Sequence, residues 1–308
     1  MKPRVIAIAL DSVPEPVLRR LLGEEELPSI GALLATGEMS NVGPSAAIGS
    51  MSVWPSFASG LPADEHRFVH DWLWDPDAMR VRRARWNADE PFWEALAAEG
   101  CRSVVLDVPF VRQRAKRDLF TIEGWGCHEG PGGPTRAQPA SLRGLLRRAG
   151  RHPYYAIRQD PGTATGHVES SRRLSQLSIE GIRTRARLGE MLVRDLEPDL
   201  LLLNFPEIHL GTHQLLHLVS PEHPCSQNGE LRDLYLDLFR EMDRAVGRIV
   251  DAAPTGTSVI LFSLLGMRPA RGNPLLHAPR SSRGDTLAPR PRHGRPESGI
   301  SVIEFRPS

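Results

Sequence analysis

Four histidines, His209, His213, His217 and His223, crowd fifteen positions of a chain that holds 11 histidines in 308 residues. If Glu207-Ile208-His209-Leu210-Gly211-Thr212-His213 is helical, the four-residue spacing sets His209 and His213 on one face, within reach of a single divalent metal ion. Glu207 could add an oxygen ligand or hold a histidine from behind. Two histidines at that spacing occur by chance in many helices, but four so close together favour a site. A second group is hydroxylic: Gly49 to Gly60 contains Ser50, Ser52, Ser56 and Ser59. Serine at a helix start suits a bound phosphate, and it suits ordinary capping equally well. The third group is polar residues at the ends of apolar runs: Asp11, Asp107, Glu207 and Ser263. Asp11 is the sharpest of these, although a carboxylate there could simply cap the next helix.

The elements that must position these side chains alternate. Val5 to Leu10 is a continuous run of branched and small apolar residues, the signature of a strand buried on both faces in a parallel sheet. Pro14 to Leu22 reads as a helix with proline in its first turn, and Ile30 to Leu34 as a second, capped by Ser29 and ended by Gly37. Glu90 to Glu99 is amphipathic; Ser103 to Val108 is another strand. Leu174 to Leu196 and Leu231 to Ala252 carry helical periodicity, while Asp199 to Phe205 and Thr257 to Ser263 read as core strands. The pattern predicts an α/β fold, a mainly parallel sheet flanked by helices over residues 1–267. Residues from about 112 to 173 are irregular and read as an insertion or cap. Residues 268–308 are crowded with Pro, Arg, Gly and Ser and read as a low-complexity, disordered tail.

Composition narrows the function. With 38 basic and 37 acidic residues, the chain lacks the broad positive footprint of a nucleic-acid binder. Lys2 and Lys116 are the only lysines, so the basic charge is almost all arginine, which suits bidentate contacts to phosphate or carboxylate. Cys101, Cys127 and Cys225 form no close pair and imply neither a disulfide framework nor a thiolate zinc site. The apolar run Val5–Leu10 is too short for a signal peptide or a membrane span. A cytoplasmic protein without membrane or nucleic-acid partners is the expectation.

Several blocks together resemble the alkaline phosphatase superfamily, in its type I phosphodiesterase/nucleotide pyrophosphatase branch. VIAIALDSVPEPVLRRLL, from Val5, resembles that family's first strand, metal-binding Asp and following helix. LPSIGALLATG resembles its "LPNLxxLxxxG" helix, and SMSVWPSFASGLPADEH its "TxPAWTSFATGxxPxxHG" block, whose first hydroxyl is the nucleophile. Counting back from Gly60 puts that role on Ser50. EPFWEALAAEGCRSVVLDVP resembles the block that follows. The likeness covers roughly residues 4–110 and 197–267 and implies an alkaline-phosphatase-like core with two metal ions, zinc or manganese, flanking the nucleophile.

Carried over by position, Asp11 and Ser50 match one metal's ligands. For the other metal, His209 stands at the family's Asp, His213 at its His, and Glu207 nearby as a substitute carboxylate. The family's "SDHGM" reads Ser263-Leu264-Leu265-Gly266-Met267 here, so two expected ligands are leucines, which cannot coordinate a cation. His277 and His293 are the later histidines that could stand for the family's last ligand, and a truncated relative would read this way. Three functions therefore stay open. One is a metal-dependent hydrolase of a small phosphorylated substrate with Ser50 as nucleophile. The second is a degenerate member that keeps a binding cleft, and the third a one-metal hydrolase or transferase.

Overall fold

The computed structural model describes residues 4–42, 50–84, 90–111, 113–114, 116–127, 135–153, 168–221, 226, 229–268 and 300–305. Strand β1, Val5–Leu10, alternates large and small side chains: Ile6, Ile8 and Leu10 enter the core on one face, Ala7 and Ala9 on the other. On the large-residue side lie α1 (Glu15–Gly23), α2 (Pro28–Thr36), α7 (Val168–Leu196), α8 (Pro206–Leu215) and α9 (Gly229–Asp251). The alanines leave room on the opposite face for bulkier partners, Trp54 of α3 (Val53–Ser59) and Trp93 of α5 (Phe92–Ala98). Both faces are covered, and β8 (Leu200–Phe205), LLLLNF, is buried at every position.

Among the described residues the main sheet has eight strands. Its middle, β9 (Ser258–Phe262), β1, β8, β5 (Ser103–Leu106) and β6 (Leu119–Glu123), is parallel. β1 sits between β8 and β9, with Val5 opposite Leu200 and Ser258. β7 (Arg136–Gln138) closes one edge antiparallel to β6; β10 (Ile300–Phe305) and β2 (Glu38–Val42) close the other. A separate hairpin pairs β3 (Trp72–Asp75) with β4 (Arg80–Arg83); α4 (Ala63–His66) and α6 (Leu142–Ala149) are short connectors.

Three expectations need correction. The stretch read as an insertion supplies two strands of the main sheet: the apolar core of β6 pairs beside β5, although Lys116-Arg117-Asp118 ahead of it masks the pattern. Within the stretch read as a disordered tail, the short alternating run Ile300–Phe305 forms β10 between β9 and β2, while 269–299, with His277 and His293, lies outside the described residues. Ser29 does not cap α2. It lies inside the first turn, where the Asp243 carboxylate of α9 accepts the backbone N–H of Ser29 at 3.0 Å and of Ile30 at 2.8 Å.

Candidate functional site

Ligands of open α/β sheets lie beyond the carboxyl ends of the strands, and four of the singled-out residues lie there. Asp11 follows β1 directly and is buried; Ser12 after it takes a left-handed conformation, φ +59°, and donates its hydroxyl to Asp11 Oδ1 at 3.2 Å. Non-glycine residues held in that region concentrate at functional sites. On the neighbouring strand, β8 ends in Phe205 and the chain turns at once into α8 through Pro206, whose fixed φ fits a first helical turn.

The expected helix over the histidine motif is therefore real, and it presents His209 to Asp11. His209 Nδ1 lies 3.0 Å from Asp11 Oδ2, and because a carboxylate only accepts, Nδ1 carries the hydrogen. In a neutral imidazole that leaves a lone pair on Nε2, which faces His213 Nε2 at 2.8 Å. The two rings stack at 4.7 Å between centroids, as the four-residue spacing requires. His209 is buried and His213 exposed, so the chain Asp11–His209–His213 runs from the core to solvent. His217 follows in the 3-10 turn Leu216–Val219; His223 lies outside the described residues.

Glu207 bonds partners other than His209 and His213. Its Oε1 accepts from Arg185 Nε at 2.8 Å and from His152 Nε2 at 2.7 Å. Arg185, on α7, is fully buried and also donates from Nη1 to Asp107 Oδ2 at 2.9 Å. Asp107 follows β5 at φ +53° and accepts the backbone N–H groups of Trp125 and Gly126, each at 2.9 Å. Burial alone would raise the Glu207 carboxyl, but the Arg185 charge and the bonds from His152 and Arg185 outweigh it and hold Glu207 below the usual carboxylate range. Besides the strand-ending acids Asp107 and Glu207, the sequence carried one signal for this cluster: Arg185 stands in the apolar stripe of α7, three positions from both Ile182 and Leu188. His152 had none.

Ser50 opens a 3-10 turn, Ser50–Ser52, that runs into α3, and is exposed. α3 is fixed on the alanine face at the carboxyl end of β9: Phe57 stacks on Phe262 at 5.1 Å, and Trp54 lies 6.4 Å from the same ring. The next block residue with chemistry, Ser56, bonds His66 Nε2 at 2.9 Å, but His66 Nδ1 accepts the Phe68 N–H at 3.1 Å. The proton therefore sits on Nε2 and is donated to Ser56, so His66 cannot serve as that hydroxyl's base. Beyond β9, Ser263 Oγ accepts the Val13 N–H at 3.2 Å and donates to the Leu265 carbonyl at 2.7 Å. Leu264 packs with Trp54 and Phe262 in the alanine-side core.

The donor chemistry fits one divalent ion at His209 and His213. Their Nε2 atoms lie 2.8 Å apart, and Asp11 behind His209 Nδ1 is the kind of carboxylate that orients a metal-binding imidazole. Leu264 and Leu265 give no donors for a second ion beside Asp11. Among the described residues, no group of three or more His, Cys, Asp or Glu converges.

Comparison with known proteins agrees with this architecture. The profile of the family described as type I phosphodiesterase / nucleotide pyrophosphatase matches residues 5–285. Among solved structures, phosphonoacetate hydrolase from Sinorhizobium meliloti 1021 in complex with phosphonoformate is similar at 14% identity and a TM-score of 0.58, over 89% of this chain and 58% of that one. Its complex with phosphonoacetate gives 16% identity, a TM-score of 0.50 and the same coverage, so the chain spans less than two thirds of that protein. No curated protein matches the chain.

Proposed function

The chain belongs to the type I phosphodiesterase / nucleotide pyrophosphatase family, and on that premise we propose that it hydrolyses a small phosphoester. In this reading Ser50 is the nucleophile and His209 with His213 hold one divalent cation, zinc or manganese. The observation that carries the reading is the chain Asp11–His209–His213 at the carboxyl ends of β1 and β8. When bound, such a cation neutralises phosphoryl charge and lowers the pKa of a nearby oxygen nucleophile.

The protein's own residues do the rest. The Ser50 oxygen, its proton passing to solvent, forms a bond to phosphorus as the ester oxygen departs with its electron pair and takes up a proton from water. A water molecule then attacks phosphorus, the Ser50–phosphorus bond breaks, Ser50 regains a proton, and phosphate or a phosphate monoester is released. Asp11 keeps the His209 proton on Nδ1 and so keeps Nε2 open as a donor atom. With leucines at 264 and 265, the site in this reading holds one cation.

A second reading, a degenerate member that binds without turnover, is favoured by those same leucines. Loss of one metal site removes transition-state stabilisation, and every ~1.4 kcal/mol lost is tenfold in rate. One experiment separates the readings: the full chain is loaded with Zn²⁺ or Mn²⁺, bound metal is measured per chain, and chromogenic phosphodiester and monoester substrates are assayed. About one ion per chain, lost in His213→Ala, with turnover abolished in Ser50→Ala, supports the hydrolase. Metal without turnover, or neither, supports the degenerate member.

A further inference from the structure

Among the buried groups that the mechanism above leaves unused, Asp107, His152, Arg185 and Glu207 form one bonded cluster. We propose that Arg185 is a positioning residue for the histidine pair, clamping Glu207 so that the first turns of α8 aim His209 at Asp11 and bring His213 beside it. The inference rests on the reading of that pair as a cation site.

Glu207 and His209 are two residues apart on α8 and therefore about 200° apart around its axis, at 3.6 residues per turn. The helix is thus gripped from opposite sides, by Arg185 and His152 on one and by Asp11 on the other. Rotation about the helix axis, the motion that would swing both imidazoles away, is resisted at both grips. The anchor is itself fixed: Asp107 takes two backbone N–H groups after β6, and its carbonyl accepts Asn204 Nδ2 of β8 at 3.3 Å.

Stability alone is a poor reason for the cluster. Buried ion pairs repay their desolvation badly, and apolar residues of like volume often do as well or better. The fold nevertheless makes room for it with two glycines. A Cβ at Gly126 would lie 2.5 Å from Arg185 Nη2 and 2.8 Å from His152, and one at Gly181 would lie 3.0 Å from His152 and 3.1 Å from Glu207 Cγ. Gly181 is in the interior of α7, where glycine carries a helix-propensity penalty. A network that gives up stability in several places, and touches the helix that carries both histidines, is explained by orientation.

The test uses Co²⁺ alone as probe, titrated into the full chain and followed by visible absorption, with thermal melting alongside. Arg185→Met is expected to weaken Co²⁺ binding about 10–100-fold, the usual effect of removing a group that orients a ligand. Arg185→Lys is expected to recover only part of this, because an ammonium cannot reproduce the planar fork to two carboxylates. Asp243→Asn, which weakens the α2 cap and touches none of the clamp's hydrogen bonds, is the control for lost stability and is expected to bind Co²⁺ like the unaltered protein. Equal affinity in the unaltered protein and Arg185→Met overturns the inference while the functional reading stands. An unaltered chain whose Co²⁺ binding is absent, or is indifferent to His213→Ala, overturns both. If Arg185→Met does not fold, Arg185→Lys and Gly181→Ala decide by the same comparison, and undiminished affinity in both overturns it.

Discussion

At the scale of single residues, bonding at both nitrogens defines His209. A carboxylate at Nδ1 and an imidazole at Nε2 leave it one orientation and one tautomer. The Ser56–His66 pair has the opposite polarity, with its proton already on the nitrogen that faces the hydroxyl. Ser56→Ala should therefore keep its turnover and cost about 1 kcal/mol of stability, the net worth of a typical hydrogen bond. Parallel assays and urea midpoints check this, and loss of activity at Ser56 comparable to that at Ser50 would contradict it. Spacing made His209 and His213 legible, and a strand-ending acid made Asp11 legible, because each is a local pattern. The fate of Glu207 was not, since its partners Arg185 and His152 stand 22 and 55 residues away. Those ion-pair and hydrogen-bond partners are tertiary contacts that no local spacing encodes.

At the scale of elements, α8 depends on close approach to α9. Gly211 faces Leu238, and a Cβ at Gly211 would overlap the Leu238 Cδ2 atom. Gly211→Ala is expected to destabilise by about 1–3 kcal/mol, as overpacking does, and to reduce turnover further by displacing the histidines on the same helix. Combining it with Leu238→Ala should restore part of the loss, so the two changes are non-additive in urea unfolding. At the start of α2, Asp243→Ala removes two caps and should lower stability by about 1–2 kcal/mol in the same measurement. The long helices and the four central apolar strands were readable because their periods of 3.6 and their branched runs are strong signals. The short outer strands β7 and β10 and the replacement of Ser29 by Asp243 were not, because short antiparallel strands and caps from distant parts of the sequence acquire meaning only once neighbours are in place.

At the scale of the whole molecule, the large-residue side of the sheet is bound together by α7 and α9, and Glu241 pins these helices at their outer rim. It accepts from Arg183 Nη2 at 2.9 Å and from Arg244 Nη2 at 2.8 Å. Burial by itself would raise the Glu241 carboxyl, but the hydrogen bonds and charges of Arg183 and Arg244 outweigh it and hold the group below the ordinary carboxylate range. Glu207, in the clamp on α8, is lowered likewise. A carboxyl whose folded pKa lies beneath its unfolded value, about 4.3 for glutamate, binds fewer protons in the native state than in the unfolded one. Its contribution is complete above that unfolded value and drains away as pH falls through the folded one. The melting temperature is thus expected to change little between about pH 7 and 5 on this account and to fall steeply below about pH 4.5. Glu241→Gln lacks the charge at every pH, so it should melt lower than the unaltered chain near neutrality, and the gap should close as acid protonates Glu241 in the latter. Because Arg183 and Arg244 are exposed, added salt should narrow the neutral-pH gap as well. Melting curves of both proteins across pH 3–7 measure this, and a gap that widens toward acid would reverse the assigned direction.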